Sequence, residues 1–302
     1  MRFKAACSTL SRLATGLAAG LAASLAASLL AAACTAAQSV QPSAPAVTTV
    51  PTAPAAPSAP AALSAPSADA ILERNFAALG GRDKIHAVRS LRLEATQSAG
   101  EKRLPLRLYW KRPDRLRIEA RDEGLDALQV FDGEQAWFTY PALPGFEIQF
   151  LEGAEREALR AQADLVEGPT FDYAAKGHRV ELVAREKLPG TEIDAWRLLL
   201  TTAQGEVRTL WFDTSSMLQV REERRERRGD KEAVIESNLS DFRPVSGILF
   251  AHHVEERLLV GGEAQGVPSV VTIQKLELDL DLPDALFALP AGLSAPAPPA
   301  PR

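Results

Sequence analysis

Cysteine is nearly missing from this chain. Its 302 residues hold two, Cys7 and Cys34. Both precede the region able to fold, so that region has no disulfide framework and no cysteine-based zinc site. Acidic residues are missing from positions 1–68, where the only charges are Arg2, Lys4 and Arg12; beyond Gly292 the only charge is Arg302. All 39 Asp and Glu, but only part of the 34 Lys and Arg, therefore lie within 69–292. That net acidic region argues against nucleic-acid binding, which favours basic patches. No G-x-S-x-G, H-E-x-x-H or phosphate-loop motif occurs, so neither an enzyme nor a cofactor site is expected. His252 and His253 are neighbours on an expected strand and face opposite sides, an arrangement unsuited to one metal. His86 and His178 stand outside any motif, and no metal site is expected.

The start of the chain is built for export. Arg2, Lys4 and Arg12 precede an uncharged run from Leu13 to Ala33, the pattern of a secretory signal. The run is long enough to span a bilayer but is dominated by alanine. It ends Leu29-Leu30-Ala31-Ala32-Ala33-Cys34, which resembles a bacterial lipobox with Ala31 where leucine is more usual. Residues 1–34 are thus read as a signal peptide with a lipobox, and Cys34 as the acylated residue. Thr35 after the cysteine resembles the outer-membrane default, and several acyl chains give stable anchoring. The alternative is cleavage near Ala37 and a soluble periplasmic protein. Residues 35–68, rich in Ala, Pro, Ser and Thr, cannot bury a core and read as a disordered tether. Its extended reach at ~3.1 Å per residue is on the order of 100 Å. Residues 293–302 read as a disordered tail for the same reason.

Residues 69–292 are long enough for one β-rich domain. A helix opens it: Ser67 or Asp69 caps, Ile71, Leu72, Phe76 and Leu79 share a face, and Gly80-Gly81 ends it. A helical turn follows over 83–88. The period then switches to two. Leu104, Leu106, Leu108 and Trp110 alternate with Arg107, Tyr109 and Lys111; after Pro113-Asp114, Leu116, Ile118 and Ala120 alternate with Arg115, Arg117, Glu119 and Arg121. A second hairpin spans 128–131 and 135–140 around Asp132-Gly133. Further strands are expected at 179–187, 191–201, 206–213, 217–226, 232–242, 248–260 and 269–280. Val271 and Ile273 differ in parity from Leu276, Leu278 and Leu280, which predicts a bulge near Gln274. Helical spacing returns at Ala158, Leu159, Gln162, Leu165 and Val166. The charge run Glu222 to Arg228 reads as the solvated end of a hairpin, with lipid headgroups as a further contact. About ten meandering strands and two helices predict an α+β, mainly β fold: an unclosed antiparallel β-barrel, or curled sheet, covered by a helical lid.

Four segments in order resemble the lipoprotein-carrier superfamily of LolA and LolB and the outer-membrane lipoprotein-sorting proteins. Leu108 to Arg117 is similar to the family's W-x-K-R-P-N/D strand and turn, and Val130 to Tyr140 to V-S-D-G-K-T-L-W-x-Y. Asp241 to Phe250 resembles a late hairpin of the wider group, and Leu286 to Gly292 the closing F-x-x-P-x-G. The resemblance spans nearly all of 69–292. It implies an apolar half-barrel cavity for acyl chains, and a role in lid closure and cargo transfer for the arginine matching Arg112. Lipid acyl chains or lipoproteins would be the ligands, with a possible protein partner in the envelope and membrane contact through the anchor. The same fold implies an alternative, an envelope stress sensor or protein-interaction module. Burying one methylene is worth ~0.8 kcal/mol, so burying whole acyl chains approaches ~20 kcal/mol as an upper bound. Candidate lining residues are Leu93, Leu106, Leu108, Trp110, Leu116, Ile118, Trp137, Trp196, Leu198 and Trp211. Candidate lid residues are Phe76, Leu79, Leu159 and Leu165. The alternative for both sets is plain core.

Overall fold

The computed structural model describes residues 66–122, 125–140, 148–228 and 231–290. The expected signal peptide with Cys34, nearly all of the tether and the tail lie outside the described residues.

Helix α1 (Ala68–Leu79) starts where Ser67 Oγ accepts a hydrogen bond from Ala70 N at 3.1 Å. It stops at Gly80, whose φ of 125° suits glycine. Helix α2 (Arg82–Ala87) follows directly. Six strands come next: β1 (Ser90–Ala99), β2 (Lys102–Lys111), β3 (Arg115–Asp122), β4 (Leu125–Phe131), β5 (Ala136–Thr139) and β6 (Gln149–Leu151). Helix α3 (Gly153–Ala163) and a run of turns over 164–177 lead to seven more. These are β7 (Arg179–Lys187), β8 (Asp194–Thr201), β9 (Val207–Asp213), β10 (Gln219–Arg228), β11 (Lys231–Val245), β12 (Ile248–Val260) and β13 (Glu263–Leu278). A 3₁₀ turn, Asp284–Leu286, is the last element among the described residues.

All thirteen described strands form one curled antiparallel sheet in the order β6-β5-β4-β3-β2-β1-β13-β12-β11-β10-β9-β8-β7. It consists of two meanders joined where β1 pairs with β13. The ends do not meet, so the barrel is open between β6 and β7.

The phase change in β13 is a bulge at Gln274. Glu94 pairs with Lys275 and Ala95 with Ile273, so Gln274 is skipped. The extra residue lets Val271, Ile273 and Leu276 all reach the inner side. The helices lie on that side. Ile71, Leu72 and Phe76 of α1, Ile85 of α2 and Leu159 and Ala163 of α3 form one continuous apolar cluster with the strands. Phe171 from the connecting turns joins them and meets Phe76 edge-on at 5.3 Å.

A smaller core covers the outer face of the first meander. Val130, Trp137 and Tyr109 point outward there and are covered by Leu280, Leu282, Leu286, Phe287 and Leu289. Lys111 Nζ donates to Leu282 O at 2.7 Å and Arg117 Nη1 to Leu286 O at 2.8 Å. The polar rims of β2 and β3 thereby bind the backbone of the closing segment.

Candidate functional site

The inner face and its helices form the candidate site. Leu93, Leu106, Leu108, Trp110, Leu116, Ile118 and Leu198 are all buried on the inner face. Trp196 is half-buried against the same cluster. Phe76, Leu159 and Leu165 are buried opposite them, with Leu79 at the margin. Two tryptophans lie elsewhere. Trp137 pairs with Val130 on the outer face and packs against Leu282 and Phe287. Trp211 is cross-strand to Arg197 and packs with Leu188 and Ala195 in a separate outer cluster. Neither faces the interior. Apolar character alone predicts an inward position for both, but the closing segment covers Trp137 and neighbouring apolar side chains cover Trp211 on the outer side.

The lid is held by a small set of polar contacts centred on Arg112. This residue lies just past the end of β2, beside α2. Arg112 Nε donates to Val88 O at 2.6 Å and Nη2 to His86 O at 2.8 Å. The second group is an orphan carbonyl of the last turn of α2, which a guanidinium suits. Nη2 also meets Glu167 Oε1 at 2.9 Å, and His86 Nδ1 reaches the same oxygen at 2.7 Å. One arginine therefore joins the β2 end, helix α2 and the segment after α3. Burial pushes the Glu167 carboxyl up, but the bonds from His86 and Arg112 outweigh it and hold it below the usual carboxylate range.

Two further links run from sheet to lid. Trp110 Nε1 donates to Ala163 O at 2.6 Å, tying the inner face to the end of α3. Asn75 Nδ2 donates to Met217 O at 2.8 Å, tying α1 to the β9–β10 turn. Within the lid, Arg82 bridges Glu73 and Asp172 and stacks over Phe76 and Phe171. Tyr173 donates to Asp69 at 2.8 Å.

Charge reasoning missed a second feature of the inner face. Arg208, Glu222 and Arg224, 3%, 2% and 8% exposed, lie on its β9–β10 portion. The expected solvated hairpin end is therefore corrected for its first residues. Glu222 lies cross-strand to the inner-facing Leu210, and Arg224 to Arg208. The parity of Leu198, Leu200 and Leu210 carried that signal. Burial pushes Glu222 up to about 7 against the opposing pull of Arg208 and Arg224.

The outer face of β1–β4 carries a cleft of about 560 Å³, walled by Glu94, Arg107, Arg117, Glu119, Arg121 and Asp126. Polar and apolar groups share its lining, and it lies on the side of the sheet away from the helices. His252 is buried, with Nδ1 2.8 Å from Phe250 O, and His253 takes the other parity. Among the described residues no group of three or more His, Cys, Asp or Glu is arranged to hold a metal. None of the described helices is long and apolar enough to cross a membrane.

No family model matches the chain. No curated protein matches it either. Solved structures do. A LolA superfamily protein from Nitrosomonas europaea aligns over 74% of this chain and 99% of its own, at 15% identity and a TM-score of 0.51. A domain described as an outer-membrane lipoprotein-sorting protein, from Vibrio parahaemolyticus, covers 72% of this chain and 94% of its own, at 13% identity and a TM-score of 0.46. The structure of MucB aligns over 74% of this chain at 12% identity, with a TM-score of only 0.22. Strand order, inner-face helices and the first of these alignments agree: this chain has the open, lidded half-barrel fold of the LolA superfamily.

Proposed function

We propose that this protein is an envelope carrier or acceptor that holds acyl chains of lipids or lipoproteins between the inner face and its lid. The observation that carries this is the way the lid is held. Helices α1 to α3 add no strand to the sheet; they rest on it through apolar contact and are fastened by a few polar bonds at Arg112, Trp110 and Asn75. Apolar contact is non-directional, so a hydrocarbon chain can replace lid side chains against Leu106, Leu108, Leu116 and Ile118. The lid and sheet are in direct apolar contact in this structure. Loading then requires the Arg112 fastening to open. An outer-membrane anchor at Cys34 and the tether would let the domain work away from its membrane.

Native mass spectrometry of envelope-purified protein tests the proposal, combined with titration of a fluorescent fatty acid. Bound lipid and saturable binding are expected. Lipid-free protein with no saturable binding would end this reading. The open edge of β7 favours a second one, docking of an extended peptide from another envelope protein. A crosslinked partner whose capture does not depend on lipid would support that alternative.

A further inference from the structure

The cleft on the outer face has a structural origin. Strand β2 begins at Lys102 and β3 ends at Asp122, but the two pair only as far as Leu106 and Ala120. Pro105, next in β2, has no N–H with which to continue a ladder. Beyond that point β2 stays with β1 and β3 with β4. The two hairpins therefore part and leave a notch of about 560 Å³, within the roughly 300–1,000 Å³ of ligand pockets. Its floor is the backbone of Ala95, Leu106, Ala120 and Ala127, whose side chains are buried on the inner side.

The guanidinia of the notch are unequally committed. Arg117 Nε donates to Glu119 Oε1 and Nη1 to Leu286 O, both at 2.8 Å. Arg107 Nη1 stands 3.9 Å from Glu119 Oε2, and Arg121 Nε 3.7 Å from Asp126 Oδ1. Both distances exceed a hydrogen bond, and exposed ion pairs of this kind cost little to open. Arg107 is cross-strand to Glu119, so Arg121, two residues on, is its diagonal neighbour, at roughly 7–8 Å. Two forks at that spacing can close on one oxyanion from opposite walls. Asp126 lies cross-strand to Arg121, and Glu94 to Arg107. Glu94 is 3.6 Å from Arg92, again beyond a hydrogen bond. The notch thus offers loosely held groups of both signs.

We propose that this notch binds a compact zwitterion, an aminoalkyl phosphate, with the phosphate between Arg107 and Arg121 and the ammonium against Asp126. A bare anion would satisfy the arginines and leave the neighbouring carboxylates repelling it; a ligand of both signs satisfies both. Planar guanidinia match phosphate oxygens, and the ammonium supplies donors that a carboxylate accepts. A free phosphomonoester and the diester headgroup of an aminophospholipid share this chemistry. The site lies on the side of the sheet away from the helices, so it does not depend on the acyl-binding reading.

Calorimetric titration of the full chain tests this with O-phosphoethanolamine, glycerophosphoethanolamine, ethanolamine and inorganic phosphate. Saturable binding of an ethanolamine phosphate is expected, about tenfold tighter than that of phosphate or ethanolamine alone. Tighter binding of the monoester upholds the site with a free ligand; tighter binding of the diester upholds it with a lipid headgroup. Arg107→Gln and Arg121→Gln are each expected to weaken binding about tenfold. Asp126→Asn is expected to weaken the zwitterion but not inorganic phosphate, a split that a merely structural role would not give. These side chains are 63%, 65% and 58% exposed, so the variants are expected to fold. Amide shifts of the wild-type protein in the same titration need no variant: changes confined to β1–β4 support the site, and changes centred on α1–α3 overturn it. No saturable binding of any probe removes the site. Phosphate binding as tightly as the ethanolamine phosphates, or Asp126→Asn weakening both alike, overturns the zwitterion assignment. Full affinity in both arginine variants overturns the placement. Failure of the fatty-acid titration touches only the acyl-binding reading.

Discussion

Arg112 Nη2 and His86 Nδ1 converge on a single oxygen, Glu167 Oε1, at 2.9 Å and 2.7 Å. Three separate parts of the chain therefore share one carboxylate: the end of β2, helix α2 and the segment that follows α3. Because Arg112 also holds two backbone carbonyls, removing it frees several groups at once.

Arg112→Ala is expected to weaken lid closure by about 1–3 kcal/mol, the scale of charge-assisted hydrogen bonds in a partly exposed setting. Hydrogen exchange of the α2 and 164–177 amides checks this, with faster exchange expected there and unchanged exchange in β10–β12. Arg112→Lys restores the charge but not the planar fork and recovers only part of the protection. Uniform exchange across the three proteins would refute the fastening role.

The Glu167 contribution depends on pH with a defined sign. Its folded pKa is lowered, so its stabilisation is fully present above the unfolded value near 4.5 and is lost as pH falls through the lowered folded value. Lid protection is expected to fall below about pH 4.5 and to do so less in Glu167→Gln. Amide exchange in 164–177 between pH 6 and pH 3.5 reads it, and an identical pH profile in the variant would contradict the assignment.

Trp137→Ala and Leu159→Ala separate the two faces. Each removes a large buried side chain and is expected to cost about 2–5 kcal/mol in denaturant unfolding. Only Leu159→Ala, on the inner side, is expected to change the affinity or stoichiometry of a fluorescent fatty acid. A change of the same size in Trp137→Ala would mean that the probe binds against the outer core.

Adjacent glycines at the α1–α2 corner are expected to respond differently. A Cβ on Gly80 would collide with the carbonyl of Gly247 in the β11–β12 turn, whereas one on Gly81 meets open space. Both have positive φ, 125° and 105°. Gly81→Ala carries the conformational cost alone, about 1–2 kcal/mol, and Gly80→Ala adds the collision. Equal midpoints in chemical denaturation would show that the turn yields.

Much of the sheet was legible because its two faces differ chemically. The alternation in β2 and β3 gave their register, and a single change of parity placed the bulge at Gln274. The signal failed where both faces are buried. Ala136, Trp137 and Phe138 of β5 are all covered, one face by the helices and the other by a closing segment far along the chain. Local sequence holds no trace of that cover. It failed again in β10, where charged side chains occupy both faces and alternation disappears; the neighbouring leucines of β8 and β9, not the run itself, identify Glu222 as inward. Strand β6, three residues long, is too short to show a period. Arg112 was legible only through the resemblance of its motif, since its partners lie 24 to 55 positions away.

The sheet's free strands, β6 and β7, are the two joined by residues 152–178, the stretch that contains α3 and Glu167. The covering piece is thus hitched to both lips of the gap like a strap. Any splaying of the lips draws the strap taut, so widening the mouth and displacing its cover are one mechanical event.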